Sequence, residues 1–316
     1  MTVRIPFTKM VGAGNDFVVV DTIHHPMGSL KTRWGAISQA VCDRHTGVGG
    51  DGLLVLEPSS VADVKMRVFN PDGSEAQMCG NGARCVAKLV NEWPKDHAAS
   101  AMRRRTPARS HGRHETQVTL ETEGGLLSAV VQRDRVQMRM PDPKDLRLDL
   151  VVDVGGESFR GGYINTGVPH FIVPLTTIED IDVNRVGRRL RQHRIFAPEG
   201  ANVNFIRADG RRPNRLRVRT YERGVEAETL ACGTGVTASA IIHALTGDLL
   251  VGRIGNRGGK EGRDCRIEVQ TRSGESMYVS FTIVSEDHAR DVRDVILEGA
   301  AWNIFEGTLS WPLRRA

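Results

Sequence analysis

Two short elements of the sequence, Met78–Gly82 and Ala231–Gly235, each set a cysteine directly before a glycine-flanked polar residue. An apolar run with helical spacing follows each element, so Cys79 and Cys232 are predicted to begin two buried helices. At a helix N-terminus the free N–H groups and the helix dipole lower a thiol pKa and can hold a carboxylate. We therefore expect a lowered thiol pKa and an anion-binding backbone at both cysteines.

The two cysteines belong to a longer internal repeat. Phe17 opens a predicted strand 62 residues before Cys79, and Phe171 opens a similar one 61 residues before Cys232. A duplicated unit of this length predicts two like domains that face each other across a pseudo-twofold axis. The cleft between such domains would receive one thiol from each side.

Two opposed thiols suit the inversion of a carbon that bears an acidic proton. A thiolate removes the proton from one face, a thiol returns a proton to the other face, and the roles exchange in the reverse reaction. The alternative is that Cys79 and Cys232 are small buried packing residues, the usual state of a free cysteine. Packing does not explain why glycine flanks both cysteines within the same repeat.

Six motifs, in their order and spacing, resemble the diaminopimelate epimerase family over nearly the whole chain. That resemblance implies a cofactor-independent epimerase that interconverts L,L- and meso-diaminopimelate, on the route to lysine and peptidoglycan. The motifs are Phe7–Met10 with Gly14–Phe17, Cys42–Gly49, Asn70 with Asp72–Ser74, Met78–Gly82, Glu222–Gly224 and Ala231–Gly235.

The same resemblance assigns roles to residues. It makes Cys79 and Cys232 the two acid/base groups, places His170 and Glu222 where they tune the thiols, and puts Phe305 at a homodimer contact. Backbone N–H groups of the two helix starts would hold the reacting α-carboxylate, which eases removal of the neighbouring proton. The substrate-binding positions that it implies are Asn15, Asn70, Gly80, Asn81, Asn202, Glu222, Arg223, Gly233 and Thr234.

Two positions and one interval depart from the pattern typical of that family. Val168 stands where an asparagine is common, with Asn165 as a nearby substitute, and Gly52 stands where glutamine is frequent. The interval from Glu222 to Cys232 is one residue longer than the commonest spacing. These departures bear on the identity of the substrate and leave the two-thiol mechanism unchanged.

The predicted fold is α/β (α+β), with two pseudo-symmetric domains. Short strands alternate around one long helix in each half, and the resemblance adds that each sheet curls around its helix. The first domain is expected to span residues 1–126 together with a returning strand within 302–316, about Trp302 to Trp311. The second is expected to span 127–301 and to include a strand from Val136 to Met140.

Composition limits the remaining function classes. The chain has 316 residues, a net charge of +5 and 40% hydrophobic residues, without an apolar stretch of the roughly 20 residues that a membrane span needs. The basic run Arg103–His114 lacks aromatic residues for base stacking, so it predicts a solvated loop and no nucleic-acid partner. The glycine-rich stretch Gly252–Gly262 lacks the spacing of a phosphate-binding loop and predicts a flexible connection.

Cysteine usage indicates the compartment and the cofactor requirement. Five cysteines, two of them expected to be free thiols, predict a reducing cytoplasm. Neither a metal-ligand cluster nor a lysine-centred pyridoxal motif is evident, so we expect no cofactor and no metal.

Two other functions stay open at this point. Proline racemases, hydroxyproline epimerases and racemases of amino acids such as histidine share the two-cysteine chemistry, although the proline enzymes usually carry histidine where Asn81 stands. A non-catalytic relative that binds an amino acid is the other alternative, and the loss of a thiol would be its signature.

Overall fold

The computed structural model describes residues 3–28, 30, 33–94, 115–247, 254–257, 260–286 and 289–312. The predicted basic loop Arg103–His114 lies outside these residues. The chain divides into two compact units, one made of Met1–Met138 with Gly299–Ala316 and the other of Arg139–Glu298. Both units are rich in strands and carry few helices, which confirms the predicted α/β class.

The first unit is built from a sheet with a helix against each face. Its elements in chain order are β1 (Val3–Gly12), β2 (Asn15–Asp21), α1 (Trp34–Val41), β3 (Gly52–Glu57), β4 (Val64–Phe69), β5 (Glu75–Ala76), α2 (Gly80–Glu92), β6 (Glu115–Thr122), β7 (Gly125–Gln132) and β8 (Arg135–Arg139).

Strand β3 explains why this sheet needs two helices. It lies parallel to β2 and antiparallel to β4, and its residues Leu53–Leu56 are all fully buried. Leu53 and Val55 pack in one cluster with α1, whereas Leu54 and Leu56 pack in another with α2. A continuous apolar run of this kind is typical of a strand covered on both faces.

The second unit continues the chain with β9 (Lys144–Val154), β10 (Glu157–Asn165), β11 (Pro169–Pro174), α3 (Val183–Arg191), β12 (Asn202–Ala208), β13 (Arg215–Glu222), β14 (Ala227–Thr229), α4 (Gly233–Thr246), β15 (Ile254–Arg257), β16 (Lys260–Gln270), β17 (Ser276–Glu286) and β18 (Ala289–Ala300). The strand β19 (Trp302–Trp311) follows and pairs with β1 of the first unit.

The strand order of the first unit recurs in the second. In the first unit β2 and β3 are parallel, β3 and β4 are antiparallel, and β4 and β6 are parallel. In the second unit the pairs β11–β12, β12–β13 and β13–β16 have the same directions in the same sequence. The helices α3 and α4 stand at the places of α1 and α2. The internal repeat that was predicted around the two cysteines therefore extends to the order and direction of the strands in each unit.

Three features of the fold differ from the sequence predictions. The short helices α1 and α3 add a second helix to each half. Strand β8 pairs with β7, with Val131 opposite Val136, so the first unit extends to Met138 and past the expected division after residue 126. Strand β15 pairs with β16 within the stretch that was expected to be a flexible connection.

Candidate functional site

Cys79 caps the N-terminus of α2 in the first unit. Its backbone is extended, with φ −140° and ψ 112°, and its Sγ accepts a hydrogen bond from the Gly82 N–H at 3.4 Å. A Cβ built on Gly80 would meet nothing within 4 Å, so the space beside the first turn is open. The first N–H groups of a helix have no partner within the helix. This helix start therefore combines a half-buried thiol with backbone donors suited to an anion.

Glycines allow the same helix start to pack closely on the sheet. A Cβ at Gly12 in β1 would lie 3.0 Å from the Asn81 carbonyl oxygen and 3.1 Å from the Cys85 Sγ. A Cβ at Gly82 would lie 3.0 Å from a Leu54 methyl carbon. The backbone at Cys79 is held in place by contacts that larger residues would disturb.

The structure brings together two of the three asparagines expected in this half. The Asn81 Nδ2 donates to the Asn15 Oδ1 at 2.6 Å, and Asn81 is buried at the first turn of α2. Asn70 is exposed and donates instead to Ser74 Oγ at 2.9 Å, within its own turn. Asn15 and Asn81 thus form one polar pair, and Asn70 makes a local contact.

Cys232 caps the N-terminus of α4 in the second unit and is only 7% exposed. Its Sγ lies 3.4 Å from the Thr234 Oγ1. The Thr234 carbonyl oxygen accepts a hydrogen bond from the buried Thr166 hydroxyl at 2.9 Å, which ties the helix start to the turn between β10 and β11. Thr166 is a support that the sequence analysis did not identify.

The pKa of Cys232 is raised to about 12, chiefly because burial penalises the thiolate and secondly because the Glu222 carboxylate is near. The N–H groups of Thr234 and Gly235 favour the thiolate but have a smaller effect. The prediction of a lowered pKa is therefore wrong for Cys232, since loss of hydration outweighs the helix N-terminus. Burial also raises the pKa of Glu222.

His170 is fully buried on β11, beside the start of α4. The Asn204 amide nitrogen lies 2.9 Å from its Nδ1. An amide N–H only donates, so Nδ1 accepts and the ring proton resides on Nε2. Burial, with a smaller effect from the Arg223 charge, lowers the pKa of His170 to about 3. His170 is therefore neutral near neutral pH, and its Nε2 has no hydrogen-bond partner among the described residues.

Asn204 was missed in the sequence analysis. It is a fully buried polar residue on β12, and its Oδ1 accepts from the Thr220 hydroxyl at 2.9 Å. A Cβ at Gly235 would lie 2.4 Å from that Oδ1 and 3.3 Å from both the Cys232 Cβ and the His170 Cε1. Gly235 is therefore the point at which the cysteine, the histidine and its amide partner meet. The available signal was a second asparagine between Val203 and Phe205, inside a strand that is otherwise apolar at those positions.

The side chain of Asn202 forms a hydrogen bond with the backbone of Arg223. The Asn202 Oδ1 accepts from the Arg223 N–H at 2.7 Å, and its Nδ2 donates to the Pro169 carbonyl at 3.2 Å. The Arg223 guanidinium donates to the Glu199 carbonyl at 3.2 Å. The side chain of Asn202 holds β11 and β13 at this end of the sheet.

Two of the departures from the family pattern, Val168 and Gly52, lie at a turn and at a close contact between strands. The Asn165 Oδ1 accepts from the Gly167 N–H at 3.0 Å, in the turn that contains the half-buried Val168. A Cβ at Gly52 would lie 3.1 Å from the Phe69 carbonyl oxygen, a tight contact with the neighbouring strand β4.

The longer Glu222–Cys232 interval arises in one hairpin. Tyr221 pairs with Glu228 across β13 and β14, whereas Phe69 pairs with Glu75 in the matching hairpin of the first unit. The turn of the second hairpin is therefore one residue longer than the turn of the first, and each hairpin is followed by its cysteine after the same interval.

The remaining expectations concern surfaces and ligands. Phe305 on β19 is exposed and makes an edge contact with Phe7, with ring centroids 5.9 Å apart. Among the described residues, no group of three or more His, Cys, Asp or Glu side chains is arranged to hold a metal ion. In that same part of the chain, none of the helices combines the length and apolarity that a membrane span requires.

The chain is similar to known proteins both in sequence and in fold. The family model described as diaminopimelate epimerase matches residues 7–144 and 162–287. A diaminopimelate epimerase of Aquifex aeolicus is 37% identical over 314 residues, which are 96% of this chain and 97% of that relative. One of Archaeoglobus fulgidus is 37% identical over 318 residues, with 97% and 96% of the two chains covered.

Solved structures share the fold at low sequence identity. A hydroxyproline epimerase from Agrobacterium vitis has a TM-score of 0.62 and 18% identity, with 98% of this chain and 93% of that chain covered. A Bacillus anthracis phenazine biosynthesis protein of the PhzF family has a TM-score of 0.62 and 17% identity, with 97% and 99% covered. Both likenesses concern the fold alone.

Proposed function

Because this chain belongs to the diaminopimelate epimerase family, we propose that it interconverts L,L- and meso-diaminopimelate by moving the proton of one α-carbon. The membership confirms the resemblance predicted from the motifs. The observation that carries the proposal is the repeated helix start, with a cysteine at the N-terminus of α2 in one unit and of α4 in the other. The relatives from Aquifex aeolicus and Archaeoglobus fulgidus, which cover 96% and 97% of this chain, support it.

The proposed reaction needs one base and one acid. The thiolate of one cysteine takes the α-proton, the thiol of the other gives its proton to the opposite face of the carbanion, and the thiolate and thiol have then exchanged places. In the direction for which Cys232 is the acid, its raised pKa keeps it protonated, and Cys79 is the base. In the other direction, protonation of Glu222 would remove a charge that disfavours the Cys232 thiolate.

The backbone at the helix starts is proposed to stabilise the carbanion. N–H groups at Gly80–Asn81 and Gly233–Thr234 would accept the α-carboxylate of the substrate. Partial neutralisation of that carboxylate reduces its repulsion of the charge that develops beside it. The open space beside Gly80 leaves room for such a ligand.

Incubation of the protein with L,L-diaminopimelate in deuterium oxide tests the proposal. We expect meso product that carries one solvent deuterium at the inverted α-carbon, detected by chiral chromatography and mass spectrometry. L-Proline, trans-4-hydroxy-L-proline and L-histidine serve as competing substrates. Inversion of one of these without turnover of diaminopimelate would assign a different amino acid, and α-proton exchange on none of them would contradict catalysis altogether.

Cysteine variants test the two-thiol assignment. Cys79→Ala and Cys232→Ala should each lower turnover by about 10²-fold or more, as expected for loss of a positioned acid or base. Cys265→Ala, at a half-buried free cysteine on β16, is the matched control and should retain turnover. Retention of more than about a tenth of the activity in either test variant would overturn the assignment.

A homodimer and a cytoplasmic location complete the proposal. Phe305 is exposed on β19 together with Trp302 and Ile304, apolar surface that a second copy would cover. Phe305→Asp should yield monomers by analytical ultracentrifugation, whereas Val151→Asp, at an exposed apolar residue of β9, should not. A wild-type monomer would refute the dimer. The five free cysteines support a reducing compartment.

A further inference from the structure

A chain of hydrogen bonds runs through the two asparagines at the start of α2. The inference drawn from it rests on the proposed function, in which Asn15 and Asn81 contact the substrate. An asparagine amide has an accepting end and a donating end of nearly the same shape, and either can face a ligand. Which end each amide presents must therefore be set by its other partners.

Arg84 sets the donor-to-acceptor direction at one end of this series of hydrogen bonds. It is fully buried on α2, one turn after Asn81, and its Nη2 donates to the Asn81 Oδ1 at 2.6 Å. A guanidinium has donors only, so Asn81 must turn its oxygen toward Arg84. The Asn81 amide nitrogen then faces Asn15 and donates to its Oδ1 at 2.6 Å.

Asp51 sets the same direction at the other end. The Asn15 Nδ2 donates to the Asp51 Oδ2 at 3.0 Å, and that oxygen also accepts from the Asp16 N–H at 3.2 Å. A carboxylate only accepts, so Asn15 must turn its nitrogen toward Asp51. The Arg44 guanidinium donates to the Asp51 Oδ1 at 2.8 Å and holds the carboxylate in place.

We propose that Arg84 and Asp51 are positioning residues that together fix the orientation of the Asn15 and Asn81 amides for substrate binding. A donor-only group at one end and an acceptor-only group at the other leave a single consistent direction for both amides. These hydrogen bonds use one N–H and one oxygen lone pair of the Asn15 amide. The amide also has a second N–H and a second lone pair, so the half-buried Asn15 presents a donor and an acceptor at defined positions.

The decisive variant is Asp51→Asn, which keeps the shape but offers Asn15 either a donor or an acceptor. We expect kcat/KM for diaminopimelate to fall roughly 10- to 100-fold, as for a misplaced binding group. Asp149→Asn is the matched control, because Asp149 is an exposed carboxylate of β9 paired with Arg160, and its kcat/KM should not change.

A double-mutant cycle separates positioning from a general structural effect. If Asp51 acts through Asn15, Asp51→Asn lowers kcat/KM in the wild-type background and has no further effect in Asn15→Ala. Equal fold-losses in the two backgrounds would overturn the proposal, as would an unchanged kcat/KM in Asp51→Asn. Arg84→Met, analysed in the same way if it folds, should likewise have no added effect in Asn15→Ala, whereas the donor-only Arg84→Lys should retain more activity than Arg84→Met.

Wild-type turnover of diaminopimelate is measured first. If the proposed function is wrong, the wild type itself is inactive on this substrate. If only the positioning role is wrong, the wild type is active and the variants depart from the expected pattern. Should the wild type not act on diaminopimelate, the same cycle is read in urea unfolding. Asp51→Asn should then lower the unfolding midpoint more in the wild-type background than in Asn15→Ala. Equal shifts in the two backgrounds would overturn the proposal without reference to any substrate.

Discussion

Replacing Gly235 with alanine will destabilise the second unit, whereas the same change at Gly80 will not. Both glycines lie in the first turn of a helix that begins at a cysteine. The new Cβ at residue 235 would lie 2.4 Å from the Asn204 Oδ1, closer than atoms in contact can approach. At residue 80 it would meet nothing within 4 Å.

The magnitude follows from what must move. Overpacking a buried site costs about 1–3 kcal/mol, and a buried amide that loses a hydrogen bond costs about 1–3 kcal/mol more. Alanine returns at most about 1 kcal/mol of helix propensity over glycine. We expect Gly235→Ala to lower the free energy of unfolding by roughly 2–4 kcal/mol, while Gly80→Ala changes it by roughly 0–1 kcal/mol in the stabilising direction.

Urea unfolding followed by far-ultraviolet circular dichroism measures both variants, and thermal melting should show a drop of roughly 5–10 °C for Gly235→Ala. Gly82→Ala gives an internal check, because its Cβ would lie 3.0 Å from a Leu54 methyl carbon that can rotate away. Its loss should fall between the other two. A Gly235→Ala protein within about 0.5 kcal/mol of Gly80→Ala would refute the packing argument, since ordinary surface changes reach that size.

Three further predictions concern titration and the basic run. The pKa of His170 is 6.5 before burial and about 3 in the folded protein, so its contribution to stability is full above pH 6.5 and is lost as the pH falls toward 3. The slope, at most about 1.4 kcal/mol per pH unit, should be missing from urea titrations of His170→Gln between pH 6 and 4. Glu222→Gln should shift the pH dependence of Cys232 alkylation, followed by peptide mass spectrometry, to lower pH, because the Glu222 charge raises that pKa; an unchanged profile would contradict this. Replacing Arg103–His114 with a short Gly/Ser linker should leave turnover within about threefold, and a larger loss in a folded protein would refute a purely solvated loop.

Local patterns predicted most of the secondary structure. The strands predicted at Phe17 and Phe171 correspond to β2 and β11, and the glycine-flanked cysteines predicted the starts of α2 and α4. The helix α3 was missed although Val183, Val186 and Leu190 follow helical spacing, because basic residues surround them and dominate the composition. Local sequence is informative where burial and periodicity agree.

The parts of the site that sequence did not predict depend on distant neighbours. Asn204 meets His170 across 34 positions of sequence, and nothing near either residue indicates the pairing. The pKa of Cys232 was expected to fall because its helix start is visible in the sequence, while its degree of burial is not. The direction of a pKa shift depends on the balance of these two effects, which only tertiary packing determines.

The pairing of β1 with β19 has a consequence for synthesis on the ribosome. Val3 lies opposite Trp311, so the first unit lacks one strand until the whole second unit has been translated. At roughly 5–20 residues per second this delay is on the order of 10–30 s. During that time β1 is bonded to β2 on one side only and presents an open edge on the other. The nascent first unit is thus exposed to mispairing or chaperone capture at β1, and release of β19 closes that edge.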